Sequence, residues 1–371
     1  MIPITALRRR VKRFRYEILR HTLPRYGGNK NRVEAISANV NCSCGENHHE
    51  KRFDWSGIDR PLIFTYRSNS ESFASIQLRT FQVARLLAQA GPPHPIIIQP
   101  LENLARSKPK NSIIIVGRTG VRPLSETMLR RFIRDGNLVL FDMVDGQVSP
   151  LIEKLPHAYV CSSMSEAKAR EAKGIRAIIS LMSPDQRCPV TEFSGKPFGV
   201  GYHGLAKNAL HLDTLSEVRV VDYREEAPAP GELPMPMDLD VMASFSHHYS
   251  VRAWNPGDGF KPLMKAYVAA RLGACFIGSR EDEECRLVLS DDYPYLAKSS
   301  SREDVTDAIN YARETYGGPV WEGAVSEMQR LRRLSCPFTS AQALVRGLAD
   351  LVSGDSLNPS TSVQTKGLLD D

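Results

Sequence analysis

The sequence predicts an α/β protein made of two successive parallel-sheet units. Three observations carry that expectation. Short apolar, β-branched runs recur from residue 61 and alternate with stretches of amphipathic helical spacing. The alternation breaks once, over the proline-, glycine- and polar-rich stretch 182–197, and then resumes. The chain has 371 residues, enough for two cores of ordinary size.

In the first unit the apolar runs are 61–67, 94–99, 112–116, 138–141, 158–161 and 177–181. They are continuous rather than alternating in polarity, the pattern of strands covered on both faces. Helical spacing falls between most of them, over 73–90, 125–134 and 165–172. The second unit repeats the rhythm. Strands are expected at 198–202, 218–223, 240–245 and 274–277, with a proline-rich loop at 228–236. Helices are expected at 263–272 and 302–315, then over 320–352 with a break at Pro337. The division is therefore an irregular extension (1–60), a Rossmann-like domain (61–190), a second one (196–335), a closing helix (336–352) and a disordered tail (353–371).

Charge is concentrated at one end. The chain carries 48 Lys and Arg against 42 Asp and Glu, a formal net charge of +6. Nine of the basic residues, against one acid, lie in the first 30 positions, so the body is close to neutral. A body of that balance does not read as a nucleic-acid binder, whose basic residues would cover a working face. No run of about 18 apolar residues occurs, and the charged start is not followed by an apolar leader core. Seven scattered cysteines suggest a reduced, cytoplasmic chain. Cys42, Cys44, His48 and His49 are too closely and unusually spaced for a zinc site, so no metal is expected.

Chemistry in such folds sits beyond the carboxyl ends of strands. The first strand is followed by Arg67-Ser68-Asn69-Ser70-Glu71-Ser72, without the G-x-G-x-x-G of a dinucleotide site. Ser68, Asn69 and Ser70 offer hydroxyls and an amide suited to a sugar acceptor, although Ser70 or Ser72 could equally cap the next helix. Asp142 and Asp145 end another strand of this unit, where an acid can orient an acceptor hydroxyl. In the second unit Gly201, His203 and Gly204 form a turn flexible enough for close approach to phosphate. His247 and His248 close the expected strand 240–245 and are candidate bases or oxyanion donors. Arg252 and Lys261 lead into a helix whose first turn holds Lys265, a combination that attracts anions. Ser279, Arg280, Glu281 and Glu283 follow the next strand and face the same crevice.

The stretch from Val251 to Glu281 resembles the donor-side signature of the retaining family-four GT-B glycosyltransferases, written K-x-x-E-A-x-A-x-G-x-P-V-I. The match falls at Lys265, Ala269, Gly273 and Ile277. DDYPYLA (291–297) adds a likeness to a little-described bacterial subgroup, and LVLFDMVDG (138–146) and AYVCSSMSEAKAREAKG (158–174) are placed as in GT-B first domains. The resemblance implies two Rossmann-like domains with a cleft between them, closed by a broken helix. It implies transfer from a nucleoside diphosphate sugar, with no cofactor and no metal, to a cell-surface glycan or lipid-linked acceptor. Arg252, Lys261 and Lys265 would hold the diphosphate. The family's ribose-gripping glutamate falls at Val268, which leaves Glu281 or Glu283 as substitutes, or else a non-catalytic glycan- or partner-binding protein.

Residues 5–23 form an amphipathic pattern, with Leu7, Val11, Phe14 and Ile18 on one face and arginines around them. The partner is either an anionic membrane surface at the inner face of the cell membrane or the protein's own body. Removing residues 1–24 separates the two: the truncated protein is expected to bind anionic vesicles more weakly at low salt. Equal binding with and without the segment overturns the membrane reading.

Overall fold

The computed structural model describes residues 53–221, 238–252 and 259–354. The basic segment 5–23, the Cys42–His49 cluster, the proline-rich loop and the tail from 355 lie outside them. Among the described residues no helix is long and apolar enough to cross a membrane.

The first sheet contains β1 (Leu62–Tyr66), β2 (Ile96–Pro100), β3 (Ile113–Gly117), β4 (Leu138–Asp142), β5 (Ala158–Cys161) and β6 (Ala177–Ile179). All pairings are parallel, in the order β2-β1-β3-β4-β5-β6. Alternate residues serve opposite cores, as the strand period requires. Leu62, Phe64, Ile113 and Ile115 pack on one face, and Ile63, Ile114, Val116 and Phe141 on the other. Helix α1 covers the first face. It runs from Ala74–Ile76 through a π-helical turn, Gln77–Phe81, into Gln82–Gln89. The second face is covered by α2 (Leu101–Ser107), α3 (Arg118–Val121), α4 (Glu126–Arg134) and α5 (Met164–Ala172).

The second sheet contains β7 (Val200–His203), β8 (Val218–Val221), β9 (His247–Tyr249), β10 (Cys275–Ser279) and β11 (Leu296–Ala297). Its order, β11-β10-β9-β7-β8, repeats the winding of the first sheet. Helices α6 (Leu239–Ser244), α7 (Met264–Arg271), α8 (Glu283–Val288) and α9 (Arg302–Glu314) accompany it. Each sheet thus has its switch point between its first and third strands, where ligands bind in open α/β folds.

The strand expected over 240–245 is helix α6, and the strand starts at His247 instead. The Asp238 carboxylate accepts from the amides of Asp240 and Val241, a side-chain cap that commits the segment to a helix. The expectation of a wholly reduced chain also fails at one position. Cys161, Cys188, Cys275 and Cys285 are free and buried, whereas Cys336 is disulfide-bonded.

Helix α10 (Pro319–Leu334) packs on the second domain, and α11 (Pro337–Val352) returns to the first. Pro337 stands at the first helical position, where its missing amide is harmless. Gly347 touches Ile178 so closely that a Cβ there would overlap it, which brings α11 down onto β6. Ser340 ties α11 to the outgoing linker, its carbonyl accepting from Ser180 Oγ at 3.0 Å and its hydroxyl lying 2.9 Å from Ser183 Oγ. The chain therefore crosses between domains twice, side by side.

Arg79, in the π turn, is buried beneath these crossings. Its Nε donates to both oxygens of Asp142 (3.2 and 3.0 Å), and Nη1 donates to the carbonyls of Ser180 (2.5 Å) and Leu181 (3.3 Å). Asp142→Asn strands a buried guanidinium and is expected to lower stability by about 3–5 kcal/mol, read from urea unfolding. The apolar pair Arg79→Met with Asp142→Leu should recover much of that loss. An Asp142→Asn midpoint equal to wild type would refute the arrangement.

Candidate functional site at the carboxyl ends of the two sheets

In the second domain β7 ends in His203 and the chain turns at Gly204, whose φ of +124° suits glycine. A Cβ at Gly204 would stand 3.4 Å from Lys265 Nζ and 3.4 Å from the Tyr202 hydroxyl, so the turn and the lysine face each other. Lys265 lies in the first turn of α7, half-buried, with Nζ 5.1 Å from the centre of the Tyr202 ring. Among the described residues it makes no ion pair. Its ammonium is pulled down to about 8, first by burial and then by the charges of Arg252 and Lys261. Leu263, the N-cap of α7, offers no side-chain hydrogen bond, whereas Asp238, Asp282 and Ser301 cap α6, α8 and α9. Free backbone amides at an uncapped helix start beside a cation give this end of α7 a positive potential.

Other expected residues take different parts. Arg252 is held by Asp282, with Nε and Nη2 at 3.0 and 2.7 Å from Oδ2, and Nη2 also reaches the Lys261 carbonyl at 3.3 Å. Lys261 itself is half-buried on the approach to α7. Ser279 ends β10, and its hydroxyl accepts from the Glu281 amide at 3.2 Å. Glu281 accepts from the Ser300 amide at 2.9 Å, and Arg280 donates to the Asp291 carbonyl at 3.2 Å. Glu283 turns away to pair with Lys168 of the first domain at 3.0 Å. Gly201 packs against Phe245, whose ring a Cβ at that position would run into. Val268 is buried against Cys188, Val221, Met242, Phe245 and Leu272, so no carboxylate stands where the resemblance seeks one.

The paired histidines are core residues, because their strand begins at position 247 instead of ending there. His247 lies 2.9 Å from Ser246 Oγ and packs among Phe198, Tyr295 and Tyr316. His248 lies 3.0 Å from the Met242 carbonyl. Burial draws them down to about 3 and about 4, so both are neutral and neither reaches the crevice as a base. His203 is different in position, at the strand's end with its ring 5.1 Å from that of His248. Burial, then His248 and Lys265, hold it well below the ordinary histidine value.

In the first domain, the residues expected on the acceptor side are tied to their own loop. Ser68 donates to Glu102 from both amide and hydroxyl, at 3.3 and 2.8 Å. Asn69 adopts φ +62°, and Ser70 donates to the Arg67 carbonyl at 2.5 Å beside Thr119 Oγ1 at 2.8 Å. Neither serine caps α1, whose N-cap is Phe73 without a side-chain bond. Asp142 is consumed by Arg79, and Asp145 pairs with Arg118 at 2.5 Å. The domains touch at Gly146 and Gly259, where a Cβ on Gly259 would stand 2.7 Å from the Gly146 amide.

Two tandem sheets of identical winding, facing each other across a cleft and rejoined by a final crossover helix, define the architecture. The fold is GT-B. Among solved structures the chain is similar to a glycosyltransferase from Rickettsia africae ESF-5, with a TM-score of 0.53 and 6% identity over 80% of this chain and 99% of that one. It is also similar to the α,α-trehalose 6-phosphate synthase of Burkholderia multivorans, with a TM-score of 0.50 and 9% identity over 80% and 100%. A third likeness, to the GtfA/B complex, has a TM-score of 0.49 and 8% identity, and covers 71% of this chain but only 62% of that one. No protein-family model matches the chain, and no curated protein matches its sequence.

Sequence reasoning missed Asp282, Tyr202 and Arg79, which shape this GT-B cleft. Asp282 was detectable as an acid just before the helical run of α8, the usual cap position. Arg79 and Tyr202 carried no local signal, since their roles depend on strands far along the chain. Arg252→Ala is expected to lower stability by about 1–3 kcal/mol, because Asp282 loses a charged partner in a buried setting. An unchanged melting temperature would mean that the pair contributes nothing to the folded state.

Proposed function

We propose that this chain transfers a glycosyl group from a nucleoside diphosphate sugar to a glycan or lipid-linked acceptor. The observation that carries the reading is Lys265, an ammonium that makes no ion pair among the described residues, at the uncapped start of α7 and opposite Gly204. A half-buried ammonium flanked by two further cations is a charge that an anionic ligand would complete. The GT-B fold supports the reading, since proteins named as glycosyltransferases share it.

In this reading the α7 amides and Lys265 receive the diphosphate, and Lys261 and Arg252 flank it. As the glycosidic bond to the donor lengthens, negative charge grows on the leaving phosphate, and the fixed ammonium and helix dipole lower the barrier. His203, neutral at the end of β7, is placed to hydrogen-bond the sugar or phosphate. Arg252 contributes while still anchored to Asp282, so it acts as part of a rigid frame.

A second reading keeps the donor pocket but not the turnover: a GT-B-like protein that binds glycans or a partner. Its support is the buried apolar surroundings of Val268, together with the commitment of Glu281 and Glu283 elsewhere. Hydrolysis of candidate nucleotide sugars to nucleoside diphosphate and free sugar, followed by mass spectrometry, separates the two readings.

Lys265 gives a direct test. Charge-assisted bonds to phosphate are worth about 1.5–3 kcal/mol, so Lys265→Ala should weaken nucleoside diphosphate binding about ten- to a hundred-fold. Because the free ammonium titrates near 8 and the bound one is held charged, wild-type affinity should fall as pH rises through about 8. The variant should lose that dependence. Lys265→Met should keep or raise the melting temperature at pH 7, because it removes a charge that burial and two neighbouring cations disfavour. If no uridine, guanosine, adenosine or cytidine nucleotide shifts the wild-type melt at millimolar concentration, the donor site is wrong.

A further inference from the structure

The two domains also meet at a contact that the proposed chemistry does not use. Helix α5 of the first domain begins with Ser163, whose hydroxyl accepts from the Glu166 amide at 3.3 Å. The amides of Met164 and Ser165, at the first two helical positions, donate to Oε1 and Oε2 of Glu284, each at 2.9 Å. Ser165 Oγ donates to Oε2 as well, at 2.7 Å. Glu284 belongs to α8 of the second domain, so one carboxylate closes the helix start of the other domain. It is 1% exposed.

Its surroundings strengthen the contact. Met164, Leu287 and Val288 line a small apolar cavity of about 20 Å³ together with Leu181 and Leu334. Leu181 opens the outgoing linker and Leu334 ends α10, so the carboxylate sits beside both places where the chain crosses between domains. In so dry a setting an unpaired amide or carboxylate is strongly disfavoured. Glu283 adds an exposed pair with Lys168 on the rim. Asp282, immediately before, caps α8 through its Oδ1 while its Oδ2 holds Arg252. One turn of chain therefore links the hinge to the mouth of the cleft.

We propose that Glu284 is a hinge pin, a positioning residue that sets the angle between the domains by capping α5 across their junction. A rotation at this point separates a bidentate acceptor from three donors at once, so the angle is held sharply. The inference stands apart from the glycosyl-transfer reading, because it concerns the resting arrangement of the domains.

The test uses the full chain with a fluorophore pair on non-natural residues at positions 151 and 311, exposed sites in the first and second domains. Wild type should give one narrow distance distribution. Glu284→Ala should broaden it and move its mean, and Glu284→Gln, which turns one acceptor into a donor facing an amide, should do so to a lesser degree. Ser163→Ala removes the cap that α5 receives from its own domain; it should lower the melting temperature yet leave the distances alone. The proposal is overturned if a folded Glu284 variant keeps the wild-type distribution, or if Ser163→Ala moves the distances as far. Should Glu284→Ala fail to fold, Glu284→Gln decides alone.

Discussion

A guanidinium without access to water must find fixed acceptors, and Arg79 finds them on Asp142 and on the consecutive carbonyls of Ser180 and Leu181. It gathers the end of β4, the end of β6 and the first residues of the linker around one side chain. The carboxyl edge of the first sheet is thereby fixed relative to the exit toward the second domain. The π turn that presents Arg79 is a departure from regular helix of the kind that tends to accompany function. Asp142, which a strand end would otherwise offer to a ligand, is the anion this cation requires. Burial pushes its carboxyl up and Arg79 opposes that push, the balance of a buried pair.

The same pairing logic runs through the cleft. Arg118 holds Asp145, Arg252 holds Asp282, and Lys168 holds Glu283. Arg170, against the Tyr159 ring, is matched with Glu153 and Glu166. Lys265 stands out from this series because its neighbours are an aromatic face, a glycine turn and two further cations. Among the described residues these structural charges are paired, whereas Lys265 makes no ion pair.

Junctions between the domains differ in character. At the mouth, Gly146 and Gly259 meet backbone to backbone, a contact that needs no side chain. At the crossings, Glu284 and the serines around Ser340 use directed hydrogen bonds in apolar surroundings. A stiff side and a soft side are what a cleft needs if it is to admit a ligand without losing its alignment.

The sequence by itself determined the two parallel sheets, because continuous apolar strands and amphipathic helices are local patterns with fixed periods. It also determined the Pro337 break and the cation-bearing start of α7, since proline geometry and helix ends act within a few residues. Only the tertiary structure decided which charges were available. His247 and His248 looked like cleft residues until a side-chain cap at Asp238 moved the strand by a few positions and buried them. Asp142, Glu281 and Glu283 looked like ligand contacts until partners 19 to 115 residues away claimed them. A single sequence shows which groups can ionise, but whether each is already satisfied depends on neighbours brought together only by folding. Lys265 is the contrasting case: among the described residues, folding brings it an aromatic face and two further cations but no acid partner.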